Sequence, residues 1–275
     1  MPVTLLLCEG VPNGPDIVLL GKLLAGKCEI KAMGGKYGMG DRVMARQEVL
    51  GEGSVAGLLD RDFINPWQPP QYIPKPWTIS GGHHRLGWYW ERKEIENYLL
   101  DPLLIEKLFN GIIDMDEYIK ILNHARDTIA NYQAARIALS ANRLRFSPLP
   151  SSFGSKRGSD KHLFPDALDI NSCQAGIEQT IQAYDGSQTI SLEQVLKTFT
   201  EVLPECQPGG GRYDNFLCGF AGKDLLWAMD GWIKSKGWQG AFALREKIVK
   251  SIRQSSDDIS QWLPELAALK QMILS

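Results

Sequence analysis

The stretch Ser54-Val-Ala-Gly-Leu-Leu-Asp-Arg-Asp62 decides the reading of the fold. An apolar run of strand length ends on two aspartates one residue apart, and like charges held that close repel unless both face water or share a cation. Upstream the chain repeats the pattern. Val3 to Cys8 is a short apolar run ending at Glu9-Gly10, and Asp16 to Leu24 carries Ile17, Leu20, Leu23 and Leu24 at helical spacing. Glu29 to Met33 then ends in Gly34-Gly35-Lys36, and Asp41 to Leu50 places Val43, Met44 and Leu50 on one side. Strand, helix, strand, helix, strand predicts an α/β fold with a parallel sheet and right-handed crossovers. Ligands of such sheets bind outside the carboxyl ends of the strands. Glu9, the Gly34-Gly35-Lys36 turn and the Asp60/Asp62 pair are therefore expected on one edge.

Downstream, residues 64–82 hold five prolines and read as an extended surface loop without a regular element. Arg85 to Trp90 reads as a further strand leading into ERKEIENYLLDP, and Pro102 to about Arg143 as mostly helical. Residues 143–162 combine Arg143, Arg145, Lys156, Arg157 and Lys161 with Ser, Gly and Pro, the pattern of a mobile basic loop. Helices are predicted near 171–184, 191–202, 223–236, 240–254 and 259–273, with a short strand at Asn215 to Gly219. The division that follows is an α/β core over residues 1–105 and a mainly helical region over 106–275, with 215–236 completing the site.

With 275 residues, 44% hydrophobic and 23% charged, the chain has the make-up of a soluble globular protein of one large domain or two smaller ones. A formal net charge of -2 gives no global attraction to nucleic acid, so such binding needs a local basic patch and a bound metal. The five cysteines form no C-x-x-C pair and their count is odd, which predicts reduced core thiols of a cytoplasmic protein and no zinc site. The start MPVTLLLCEG lacks the basic n-region and the apolar length of a signal peptide, and no run nears eighteen apolar residues. No G-x-x-x-x-G-K-[ST] occurs, so ATP hydrolysis by a P-loop is not expected. His83 and His84 are adjacent, and on a strand they would point to opposite sides, which argues against joint ligation.

The expected edge gathers Glu9, Asp60 and Asp62, with Glu94 and Glu96 from the next strand end and Asp16 from the first helix. So many carboxylates are destabilising unless cations neutralise them, and hard oxygen ligands suit Mg²⁺ or Mn²⁺. Glu9-Gly10, then Gly34-Gly35-Lys36, then the D-x-D of Asp60 and Asp62 resemble a Toprim domain, specifically the Toprim nucleases of the OLD (overcoming lysogenization defect) kind. KEIENYL at Lys93 to Leu99 and GKDLL at Gly222 to Leu226 are similar to stand-alone relatives of that group, some of which act in phage defence beside an ABC-type ATPase.

The resemblance implies a Toprim-like parallel sheet flanked by helices, and a metal-dependent nuclease cutting DNA or RNA with two Mg²⁺ or Mn²⁺ ions. It implies that Glu9, Asp60 and Asp62 bind metal, that Glu96 or Glu94 holds the second ion, and that Lys223 neutralises the scissile phosphate. The chain departs from the family pattern at Asn13, where an acid is usual; the nearest acid is Asp16. Lys36 and the basic residues of 143–161 are the candidate phosphate contacts. The other readings open at this point are a Toprim strand-passage enzyme, for which cysteine spacing and length are lacking, and a non-catalytic effector held by a partner ATPase.

Overall fold

The computed structural model describes residues 2–79, 84–143, 149–158, 161–184 and 190–275. Arg145 and His83 lie outside the described residues. The apolar runs form β1 (Leu5–Cys8), β2 (Glu29–Ala32) and β3 (Val55–Leu59), with α1 (Pro15–Leu24) and α2 (Met39–Leu50) between them. β4 (Lys75–Ile79) and β5 (His84–Tyr89) follow. The sheet order is β2-β1-β3-β5-β4, with β1, β2, β3 and β5 parallel and β4 antiparallel to β5.

This is an α/β architecture with a five-stranded, mostly parallel sheet flanked by helices. β1 and β3 are buried along their whole length, as strands covered on both faces must be. The first crossover steps from β1 to β2; the second passes back over β1 to β3. Two right-handed crossovers in opposite directions put α1 and α2 on opposite faces. Met39 and Val43 of α2 pack with Leu5, Leu7, Val55 and Leu59, while α1 buries Leu19, Leu20, Leu23 and Leu24.

β4 corrects the expectation that residues 64–82 hold no regular element. Prolines exclude a central strand, but β4 is the outermost one, where Pro76 is tolerated.

The remainder is largely helical: α3 (Ile95–Leu99), α4 (Pro102–Phe109), α5 (Met115–Ala141), then a hairpin of β6 (Ser155–Arg157) and β7 (His162–Phe164). Next come α6 (Ile170–Gln182), α7 (Leu192–Val202), α8 (Gly211–Asp214), α9 (Phe216–Gly219), α10 (Gly222–Ala228), α11 (Asp230–Ser235), α12 (Ala241–Gln254) and α13 (Pro264–Leu274). The hairpin corrects the reading of 143–162 as loop throughout, and α9 corrects the expected strand over 215–219. Phe216-Leu-Cys-Gly is too short for its pattern to separate strand from helix. Among the described residues no helix is long and apolar enough to cross a membrane.

The chain divides into two compact units. The first comprises Met1–Arg61, Pro70–Ile113 and Arg245–Ser275; the second comprises Asp62–Pro69 and Asp114–Leu244. Both are discontinuous, unlike the single boundary read near residue 105. In the first unit the C-terminal helix returns to the sheet, the Val3 N–H donating to the Ile273 carbonyl at 2.8 Å. In the second, the buried Arg212 donates from Nε to Glu205 Oε2 at 2.6 Å and lies over the Trp67 ring, which ties residues 62–69 to this unit.

Candidate functional site

Glu9 follows β1 and Asp60 follows β3, and the strands are neighbours: Cys8 pairs with Leu58, and the Glu9 N–H donates to the Leu58 carbonyl at 3.4 Å. Gly10 and Gly34 exchange backbone hydrogen bonds of 3.0 Å each way, which brings the turn after β2 to the same edge. Gly10 has φ 103°, a conformation that excludes most side chains. A Cβ there would stand 3.2 Å from Asp16 Oδ2, so the bare backbone is what admits the first turn of α1. Glu9, the turn at Gly34 and Asp60 thus share one edge of the first unit, while Asp62 opens the second.

Their charges are felt at one atom. Burial pushes the Cys8 thiol up to about 12, and Asp16, Asp60 and Glu9 add to the rise. Burial also raises the Tyr89 hydroxyl, and Glu9 raises it further. Glu9 Oε1 and Asp60 Oδ1 are both buried oxygens. β1 and β3 are moreover the strands between which the crossovers change direction, the place where open α/β sheets hold ligands.

Among the described residues, no three His, Cys, Asp or Glu side chains are grouped so that they could hold a metal ion. Mg²⁺, however, commonly takes one or two carboxylates and completes its shell with water and phosphate oxygens. Glu9 and Asp60, with Asp16 beside Gly10, fit that requirement by donor chemistry.

The stretch from Glu91 to Leu100 is buried throughout. Glu96 is 2% exposed and its Oε1 lies 3.3 Å from Arg245 Nη1. Glu94 sits at the N-cap of α3, where its N–H donates to Asn97 Oδ1 at 3.1 Å and its Oε2 lies 3.3 Å from Lys93 Nζ. Cations of the protein thus already face both glutamates. Arg92 grips Glu265 through two bonds of 2.9 Å and lies 2.7 Å from Asp101. Burial alone would lower its pKa, but Glu265 and Asp101 outweigh that and raise it.

Asp62 begins the second unit with φ 54°. Lys36 is half-buried in the turn after β2, and Lys223, second residue of α10, is half-buried in the second unit. Arg143 is half-buried, Lys156 and Lys161 are exposed, and Arg157 forms an ion pair with Asp166.

Sequence reading missed the partners. Arg61, between the two aspartates, is buried against Glu91. Asp224, next to Lys223, is buried and receives Arg136 Nη1 at 2.5 Å, Gln133 Nε2 at 2.6 Å and His162 Nε2 at 2.7 Å. Burial alone would raise the Asp224 carboxyl, but Arg136 and His162 hold it below the usual carboxylate range. Comparison with protein-family models returns no match to this chain, and comparison with curated proteins returns none.

Proposed function

We propose that this chain is a metal-dependent nuclease that hydrolyses phosphodiester bonds of DNA or RNA, of the Toprim kind that its motifs resemble. The carrying observation is that Glu9 and Asp60 end adjacent parallel strands at the point where the crossovers change direction, with Asp16 beside them. Mg²⁺ or Mn²⁺ bound there would supply an activated water and neutralise charge on the leaving oxygen. Glu9 and Asp60 would hold the ion, with Asp16 in the surrounding shell and Asp62 as a second aspartate of the motif. Lys36 would meet a phosphate oxygen at this edge, and for Lys223, in the second unit, a phosphate contact is what the resemblance implies. The same resemblance suggests work in phage defence in the cytoplasm, beside an ABC-type ATPase.

A second reading is a non-catalytic effector held by such an ATPase. It is favoured by one observation, that Lys93 and Arg245 already face Glu94 and Glu96. The two readings separate in an assay of plasmid, single-stranded DNA, RNA and tRNA with Mg²⁺ and with Mn²⁺. Cleavage that Glu9→Gln and Asp60→Asn abolish supports the nuclease. No cleavage of any substrate, together with no calorimetric binding of either ion, rejects it.

A further inference from the structure

We propose that the second unit carries a pocket that takes one unstacked nucleotide of a single-stranded nucleic acid. The pocket has a volume of about 680 Å³, within the usual range of small-ligand sites. Phe164 at the end of β7, Trp227 of α10 and Phe242 of α12 supply its aromatic lining. Lys156 and Arg157 of β6 and Lys234 of α11 supply its cations. All six residues belong to the second unit.

Aromatic faces beside cations are what a nucleotide requires, because every base has a face to stack and every phosphate a charge to neutralise. Trp227 is held for the purpose. The His162 ring lies nearly parallel to it, at 10° and 6.3 Å between centroids, and His162 is fixed by its 2.7 Å bond to the buried Asp224. Phe242 remains 36% exposed, so covering its ring is favourable. Two acids also line the pocket, and each is engaged: Asp166 by Arg157, and Asp230 by Lys234 at 2.6 Å. Three cations against two acids leave the lining positive. The Arg157–Asp166 pair is exposed and such pairs are weak, so a phosphate can replace Asp166 there, while Asp230 also accepts from the Ala241 N–H at 2.8 Å. A duplex keeps its bases stacked, which makes the aromatic lining selective for single strands, loops or a base turned out of its stack.

The inference rests on nucleic acid being the partner, so its test is run in EDTA, where no cleavage is needed. Fluorescence anisotropy would follow a labelled single-stranded DNA or RNA of about 12 nucleotides binding to the full chain. Phe242→Ala and Trp227→Ala should each weaken binding roughly tenfold, while Trp227→Phe should retain most of it. Lys156→Ala should lower the slope of log affinity against log salt by roughly 0.7. An abasic strand should bind wild type no better than the intact strand binds Phe242→Ala. Affinities of both alanine variants within twofold of wild type would overturn the pocket, as would a duplex that binds equally well and is equally sensitive to both variants. Strand binding that depends on Phe242, in a chain that neither cleaves any substrate nor binds Mg²⁺ or Mn²⁺, would reject the nuclease and leave the pocket standing.

Discussion

Arg61 Nη1 lies 3.2 Å from Glu91 Oε1 and donates to the Glu91 carbonyl oxygen at 2.6 Å. The cation inside the D-R-D motif is therefore turned inward, where it anchors the end of β3 to the end of β5. Glu91 is 0% exposed and Arg61 9%, and Lys75 at 3.6 Å and the Gln71 N–H at 2.8 Å also serve the carboxylate. Removing Glu91 leaves the buried Arg61 without its counter-ion, and removing Arg61 leaves Glu91 with only the longer contact to Lys75, a loss of up to about 3–5 kcal/mol. Arg61→Ala and Glu91→Ala should each lower the unfolding free energy by about that amount, read as a fall in the urea midpoint at an unchanged m value. The double variant Arg61→Met with Glu91→Leu should lose less than the sum. A double variant as damaged as the sum of the singles would show that the two residues act independently.

The acids at the sheet edge should behave in the opposite way. Glu9, Asp16 and Asp60 all act on the Cys8 thiol, and like charges gathered around one site repel, so Glu9→Gln and Asp60→Asn should leave the melting temperature unchanged or higher. Mn²⁺ at about one hundred times its Kd should stabilise wild type by about 2.7 kcal/mol, and neither variant should show that gain. Thermal melts with and without Mn²⁺ measure both effects. Equal stabilisation of all three proteins would move the ion elsewhere.

How much of this was legible in the sequence depends on the range of the interaction. β1, β2, β3 and the two helices between them follow from local apolar periodicity, and the shared edge follows from topology; neither needs a distant partner. Glu94 and Glu96 show the limit. Their spacing suggests ligands, but Arg245 lies 149 positions from Glu96, and no periodicity announces it. The buried triad of Arg92, Asp101 and Glu265 is hidden likewise, since Glu265 reaches Arg92 from α13, 173 positions along the chain. β4 was lost because a proline count does not say whether a strand is central or at an edge. Nothing local in the sequence marks Trp227, which lines a pocket because β7 and α12 approach it from far along the chain.

Alkaline pH should destabilise the fold through its thiols. Burial pushes Cys8, Cys173 and Cys206 up to about 12 and Cys28 to about 11, from an ordinary 9.0. A raised folded pKa means that the native state keeps a proton which the unfolded chain releases. The stability is thus complete below pH 9 and is lost as pH rises from there toward 12. Each thiol contributes a slope of about 1.4 kcal/mol per pH unit within that window. Urea midpoints at intervals above pH 9 should fall steeply, and Cys8→Ala should make the fall shallower. A midpoint indifferent to pH there would show that Cys8 is not held protonated.

Lys223 and Asp224 are neighbours in GKDLL, and their substitutions should give opposite results. Asp224 is 0% exposed and receives Arg136, Gln133 and His162, so Asp224→Ala should cost about 3–5 kcal/mol by leaving Arg136 buried against no anion. Its depressed pKa adds an acid limit: this stability is present above the ordinary carboxylate pKa and is lost as pH falls through the lowered value. Lys223 is half-buried at the second position of α10, and the resemblance implies that it meets the scissile phosphate. Lys223→Met should therefore keep the wild-type Mn²⁺ affinity, since the lysine is assigned to the phosphate and not to the ion. Its turnover on nucleic acid should nonetheless fall, by on the order of 10²-fold for the loss of one group that meets charge developing on the phosphate. Lys223→Arg should recover part of that loss, since the charge remains while its geometry changes. If Lys223→Met turns over as fast as wild type while Glu9→Gln is inactive, the lysine is an ordinary surface residue, and the phosphate is neutralised without it.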